Sequence, residues 1–378
     1  MKNTYRKIFA YILSTAILLS LIMALPTAKI NVQAADNDKK ACWISYYDIE
    51  EYLQDKSEAA FRKKVSDMYD NVAKYGMNTV IVHVRAMGDA LYPSDYYPWS
   101  TYISTDRSNP GYDPLKIMIE IAHSKNLKFE AWINPYRLSR DTETTVSFMA
   151  TPYYQMFLPY TIEYKGSSGQ ICLALDPARQ ETRDLIANGV KEIVSNYDVD
   201  GIHFDDYFYV SGMANQLSIA SKKANVNLMV SQVYETIKSV NPNCTFGISP
   251  AGNLDNARAQ GADIDTWLSS PGYIDYIMPQ IYWTDIYVTD GAVKNMFTDR
   301  CSEWIKLNKR DIPIYVGIAL YRVGTSSKTD LGWASSNANL AYQYAVARQL
   351  GYDGYALFRY QWLEKDIAVE ELNNLKVY

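Results

Sequence analysis

The chain has 378 residues, 42 acidic against 37 basic side chains, a formal charge of −5, 33 tyrosines and eight tryptophans. An acidic balance argues against nucleic acid or an anionic membrane surface as partner. Three scattered histidines (His83, His123, His203) and four cysteines without ligand spacing leave no expectation of a metal site or another cofactor.

The chain opens on a candidate export leader. Lys2, Arg6 and Lys7 form a basic start, Ile8 to Leu25 is an apolar run, and Val32-Gln33-Ala34 offers small residues where a signal peptidase reads. We expect residues 1–34 to be cleaved, leaving one extracytoplasmic domain over 35–378 that is secreted or associated with the cell wall. An uncleaved membrane anchor is the competing reading, since 18 apolar residues are close to the spanning minimum. Cleavage removes Lys2, Arg6, Lys7 and Lys29 and no acid, so the charge moves from −5 to −9 over about 344 residues. That length suits a single large domain, and no later segment is hydrophobic enough to span a bilayer. Cys42, Cys172, Cys244 and Cys301 read as core thiols rather than as bridges.

Apolar, β-branched runs then recur, each followed by a helical pattern. The runs are Ala41–Tyr46, Thr79–Val84, Lys128–Ile133, Gly201–Phe204, Thr245–Ser249, Tyr273–Met278, Pro313–Ile318 and Gly354–Phe358. Amphipathic stretches lie at Glu58–Tyr75, Pro114–Lys125, Gln180–Tyr197, Ser221–Val240 and Asn337–Leu350. Eight such units predict an α/β fold, a single (β/α)₈ TIM barrel. A doubly wound open sheet would want a Gly-rich turn after its first strand; here the first strand runs into Tyr46-Tyr47-Asp48-Ile49-Glu50. The aperiodic stretch Leu138 to Leu175, after the third strand, is a long loop insertion, expected as an ordered flap over the cleft.

Chemistry in such a barrel sits at the C-terminal strand ends. Those ends are rich in hydrogen-bonding groups and aromatics: Arg85 and then Asp89; Asn134, Tyr136 and Arg137; His203, Asp205, Asp206 and Tyr207; Gln280, Tyr282 and Trp283; Tyr321 and Arg322. Aromatic faces pack on the C–H faces of sugars while polar rims bind hydroxyls, so the expected partner is a polysaccharide. On the fourth strand, alternation points Gly201, His203 and Asp205 inward, and Asp206 begins the loop beyond. Adjacent carboxyls in a partly dry cleft repel, and the proton affinity of one should rise. One ionised and one protonated acid is what glycoside cleavage requires. A helix cap, or an ion pair with Arg85 or Arg137, is the structural alternative.

Four strings carry a family resemblance: Gly88-Asp89-Ala90-Leu91-Tyr92-Pro93, Ala131-Trp132-Ile133-Asn134-Pro135-Tyr136-Arg137, Asp200-Gly201-Ile202-His203-Phe204-Asp205-Asp206-Tyr207, and Asp275-Tyr276-Ile277-Met278-Pro279-Gln280-Ile281-Tyr282-Trp283. In these the chain resembles glycosyl hydrolase-like family 10, over roughly residues 40 to 362. The resemblance implies a TIM-barrel glycosidase of bacterial cell envelopes, of a kind that cleaves peptidoglycan strands stripped of stem peptides. It places Asp205 and Asp206 on the family's strand-four acids, and Arg85, Asn134, Tyr136, Arg137, Gln280 and Tyr282 on cleft-lining motifs. Glu130 departs from the pattern, and a Glu130 reaching the cleft would compete for the role of second acid.

Two mechanisms stay open. In the first, one Asp orients the substrate's own acetamide and the other protonates the leaving oxygen. Tyr282 then assists, since Met278-Pro279-Gln280-Ile281-Tyr282 is loosely similar to the Met-x-Tyr strand of chitinase-type barrels. In the second, Asp205 is a direct nucleophile and Asp48, Asp89 or Glu130 is the acid. A glycan-binding barrel without catalysis is the reading from another class.

Overall fold

The computed structural model describes residues 38–377, apart from 167, 211 and 214–216. The expected leader lies outside the described residues. The strands are β1 (Lys39–Ile44), β2 (Thr79–Arg85), β3 (Lys128–Ile133), β4 (Thr161–Lys165), β5 (Ile171–Leu175), β6 (Gly201–Phe204), β7 (Thr245–Ile248), β8 (Tyr276–Ile277), β9 (Tyr287–Thr289), β10 (Ala292–Lys294), β11 (Val316–Ile318) and β12 (Gly354–Leu357). Eight of them form one parallel sheet in the order β11-β12-β1-β2-β3-β6-β7-β8. Parallel strands covered on both faces read as unbroken apolar runs, and β2 is buried at every position.

The remaining seam, between β8 and β11, carries the parallel bridges Ile277–Ile314 and Gln280–Gly317. The Tyr315 N–H donates to the Ile277 carbonyl at 3.0 Å across it. The α/β barrel expected from the sequence is the observed fold. Regular pairing of β8 and β11 is shorter than the apolar runs beside them, because Pro279 and Pro313 have no N–H to add to the ladder.

Helices over Glu58–Lys74, Pro114–Ser124, Gln180–Asn196, Ile219–Val240, Met296–Leu307 and Asn339–Gln349 cover the outside. Ser57, Asp113 and Ser218 open three of them by accepting N–H bonds from Ala60, Lys116 and Ser221, the usual task of an N-cap. Residues Tyr46–Leu53, of which Tyr46 was expected to end the first strand, are helical. Both the N–H and the hydroxyl of Ser45 donate to Asp48 Oδ2, at 2.8 and 2.7 Å, which starts a helix directly at the strand end.

The insertion after β3 holds helices Thr142–Met149 and Pro152–Phe157 and the β4–β5 hairpin. Leu138 and Tyr136 pin it by backbone bonds with Leu173 and Leu175. Inside the barrel, Ala41, Trp43, Ile81, Trp132, Tyr276, Met278 and Ala356 form a cluster separate from the larger core between sheet and helices. Gly247 is required here, because a Cβ would collide with the Tyr276 ring that crosses the barrel beside it.

Candidate active site

The C-terminal strand ends surround one cavity of about 290 Å³. β1 supplies Trp43, Ser45 follows it, and the helix Tyr46–Leu53 supplies Tyr46 and Tyr47. β2 supplies His83, and β3 supplies Trp132 and then Arg137. The end of β6 supplies Asp205, Asp206 and Tyr207, and β7 supplies Ser249. Gln280, Tyr282, Tyr321 and Phe358 complete the ring. Among the described residues, Asp205 and Asp206 are the only carboxyls that line it.

Asp205 is 3% exposed and held on both oxygens. Asn134 Nδ2 donates to Oδ1 at 2.9 Å, and Trp132 Nε1 donates to Oδ2 at 3.1 Å. Asn134 is itself fixed, because its Oδ1 accepts the Arg137 N–H at 2.9 Å. The Arg137 guanidinium donates to the Ala86 carbonyl and lies 4.5 Å from the Tyr207 ring centre. Burial pushes the Asp205 carboxyl up, but His83, Arg137 and Asn134 together outweigh it and hold the group below the usual carboxylate range. His83 acts there through space, since its Nε2 is 3.9 Å from Oδ2, beyond hydrogen-bond length.

Asp206 differs. Burial first, and the Asp205 charge second, push its carboxyl up to about 7, against the pull of Gln280 and Arg137. The residue still touches solvent through the cavity mouth. Near neutral pH the pair therefore holds one charge and one partly occupied proton. Burial also raises the Tyr282 hydroxyl well above its ordinary value, so it stays a neutral donor.

Of the residues singled out in the sequence, Asp205, Asp206, Tyr207, Arg137, Gln280, Tyr282 and Tyr321 line the cavity, and Asn134 reaches it through Asp205. Six do not come to it. Arg85 turns away to donate to the Pro135 carbonyl and to cover the Tyr97 ring. Asp89 is buried, accepting the Met87 N–H and facing Arg107. Tyr136 is 1% exposed in the core. His203 is occupied on both ring nitrogens, by Trp43 Nε1 at 3.2 Å and the Tyr276 hydroxyl at 2.7 Å. Trp283 packs against the outer core, its carbonyl accepting from Gln343. Arg322 faces Asp330 and the Tyr282 carbonyl.

Glu130 stays at the opposite end, paired with Lys39 and the Tyr276 hydroxyl. Asp48 is spent on Ser45, Arg359 and Gln361. Among the described residues of Leu138 to Leu175, none lines the cavity; part of that insertion borders a separate recess with Trp99 and Arg107.

Sequence reasoning passed over Trp43, Ser45, Tyr46, Tyr47, His83, Trp132, Ser249 and Phe358. Strand alternation was the available signal. Register pairs Trp43 with Ile81, Ile81 with Glu130, and His203 with both Trp132 and Gly247. Trp43, His83, Trp132, Ser249 and Phe358 therefore share the inward phase with Asp205.

Against known proteins, the sequence model described as Glycosyl hydrolase-like 10 matches residues 39–220 and 210–335. The chain belongs to that family. Glycosyl hydrolase YngK of Bacillus subtilis (strain 168) is 32% identical to it over 385 residues, covering 92% of this chain and 72% of the relative. Glycosyl hydrolase DigH of Escherichia coli (strain K12) is 33% identical over 302 residues, 71% of this chain and 67% of the relative. Among solved structures, the glycoside hydrolase domain of PgaB (BpsB) from Bordetella bronchiseptica shares the fold. Its TM-score is 0.57 at 12% identity, over 89% of this chain and 99% of that one. Family membership and these relatives make the chain a glycoside hydrolase.

Proposed function

We propose that this glycoside hydrolase is exported and cleaves N-acetylated cell-wall glycans, peptidoglycan-like strands foremost. In this reading Asp206 is the general acid, Asp205 orients the substrate's 2-acetamido group, and the Tyr282 hydroxyl helps hold that group. The observation that carries it is the divided carboxyl pair. Asp205 is kept ionised and Asp206 proton-bearing, with no third carboxyl lining the cavity among the described residues. A direct displacement needs a second acid across the sugar, and Asp48, Asp89 and Glu130 are each held elsewhere.

The steps follow from the pair. Asp205 accepts the acetamide N–H and turns its carbonyl oxygen toward the anomeric carbon. That oxygen forms a bond to the carbon as the glycosidic C–O bond breaks, and the departing oxygen takes the Asp206 proton. Ionised Asp206 then removes a proton from the water that opens the cyclic intermediate, which restores both acids. Aromatic walls at Trp43, Trp132, Tyr207 and Phe358 suit sugar C–H faces. The basic start and apolar run at the N-terminus support export.

The test is turnover of denuded glycan strands by wild type beside Asp205→Asn and Asp206→Asn, with a thiazoline inhibitor. Cleavage by wild type alone, strongly inhibited by the thiazoline, is expected. Cleavage indifferent to the thiazoline removes acetamide participation. Failure to cleave any N-acetylated glycan removes the substrate class.

A further inference from the structure

His83 holds a buried donor without a hydrogen-bond partner among the described residues. It is 1% exposed and lines the catalytic cavity. Its ring is stacked on Trp132, 3.3 Å between centres and 18° between planes. Its Nδ1 accepts the Tyr46 N–H at 3.3 Å. A ring nitrogen that accepts has its lone pair engaged, so in the neutral imidazole the proton sits on Nε2. Burial lowers the His83 pKa to about 4, which keeps the ring neutral at working pH. Among the described residues Nε2 has no hydrogen-bond partner. Asp205 Oδ2 is 3.9 Å away and already accepts from Trp132.

A buried N–H without an acceptor is costly and rare. The second barrel-lining histidine shows the contrast. His203, two strands over on β6, has the same burial and the same neutral state, and both of its nitrogens are matched. Two histidines in one interior, one with both nitrogens matched and one that lines the cavity with its Nε2–H unmatched, mark the second as the one with a donor to give an incoming acceptor.

We infer that His83 is a fixed substrate-binding donor, its Nε2–H bonding a sugar oxygen vicinal to the group that Asp205 holds. Beside Nε2–H lies the carboxylate acceptor of Asp205, so the two present a donor and an acceptor side by side. Neighbouring ring substituents of a pyranose match that pair: the acetamide N–H for Asp205, and the oxygen on the next carbon for His83. An acceptor is all that His83 asks of that oxygen, so a free hydroxyl and an ether-substituted oxygen both satisfy it. That tolerance suits a strand in which the position alternates between the two. This deepens the N-acetyl-glycan reading and rests on it.

The test uses binding, so that it stands apart from turnover. Asp206→Asn protein, which lacks the proposed acid, is titrated with tetra-N-acetylchitotetraose by calorimetry. The same titration is made with His83→Phe and His83→Gln added. Phe keeps a ring stacked on Trp132 but loses the donor; the Gln amide restores an N–H near the Nε2 position. The expected result is a loss of about tenfold in affinity for Phe, the scale of one neutral hydrogen bond, and recovery of most of it by Gln. Melting curves confirm that each variant is folded. Should His83→Phe not fold, His83→Asn replaces it, keeping an acceptor for the Tyr46 N–H without a donor at Nε2.

Equal affinity in parent and Phe protein, or equal loss in Phe and Gln, leaves His83 a prop for Trp132 and overturns the inference alone. If the parent binds no chitotetraose at all, the inference falls together with the substrate reading.

Discussion

The two ends of the barrel interior hold buried carboxyls in recesses of similar size, about 290 Å³ at the mouth and about 340 Å³ at the base. They do different things. At the base, Glu130 meets the Lys39 ammonium on one oxygen and the Tyr276 hydroxyl, at 2.6 Å, on the other. Lys39 also lies 3.7 Å from the Tyr276 ring centre, and the chain of contacts runs on through His203 to Trp43. Every polar group in that chain has a partner. At the mouth, Asp205 is held on both oxygens but keeps lone pairs to spare, Asp206 has its proton affinity raised, and His83 has an unmatched N–H. A recess reads as reactive because of its unspent hydrogen-bonding and proton capacity, and its volume alone does not separate the two ends.

The largest break in this symmetry comes from Asp206→Asn. Removing a general acid costs up to about 10⁴-fold, and turnover on denuded strands should fall about 10³-fold or more. Stability should move the other way. Asp206 has its folded pKa raised to about 7 from an ordinary 3.8. Between those values the native state holds a proton that the unfolded chain has released. The group's contribution is complete below about 4 and is lost as pH rises through about 7. The Asn variant should therefore show a flatter dependence of denaturant midpoint on pH over that window, and at pH 8 should equal or exceed the wild type.

At the base the same amide substitution should invert the outcome. Glu130→Gln leaves the Lys39 ammonium buried without its counter-charge, which typically costs about 3 kcal/mol or more. Urea unfolding should register that loss while kcat on folded protein changes less than about twofold. An unstable Asp206→Asn beside an unperturbed Glu130→Gln would dissolve the distinction between the two ends.

How much of this was legible in the sequence follows the same division. β3 and β6 were bounded to the residue and the barrel order was readable, because parallel strands covered on both faces leave unbroken apolar runs. The helix Tyr46–Leu53 was not read, since Ser45 and Asp48 look like any polar turn until the strand before them is seen to stop at Ile44. Asp205 and Asp206 were conspicuous as a charged pair at a strand end. His83, Trp132 and Phe358 were less so, since apolar and aromatic residues in a strand look like core. Arg85 and His203 were chosen for their chemistry, and tertiary partners consume them: Pro135 and Tyr97 for the arginine, Trp43 and Tyr276 for the histidine. A sequence displays which groups are polar and not which of them remain unpaired.

A smaller effect is expected from Tyr282→Phe. Tyr282 lines the cavity and its hydroxyl stays neutral. If it holds the acetamide in the transition state, its loss should lower kcat about tenfold, the scale of one hydrogen bond, with little change in KM. A rise in KM at constant kcat would place Tyr282 in ground-state binding only.

The smallest effect tests the origin of the Asp206 proton itself. Two causes raise that carboxyl: burial, which is the larger, and the charge on Asp205. Asp205→Asn removes the second and leaves the first, so Asp206 should titrate below its wild-type value of about 7 yet still above an ordinary carboxyl. Carbon-13 carboxyl NMR on the Asp205→Asn protein reads this directly, without any need for turnover. Lys39→Met, at the far end of the interior, serves as the control and should leave the Asp206 titration unmoved. A fall all the way to the ordinary value would mean that burial contributes nothing, and no fall at all would mean that the neighbouring charge does not reach Asp206. The first result would leave the neighbouring charge as the sole cause, and the second would take away the coupling that makes two consecutive aspartates behave as one acid and one base.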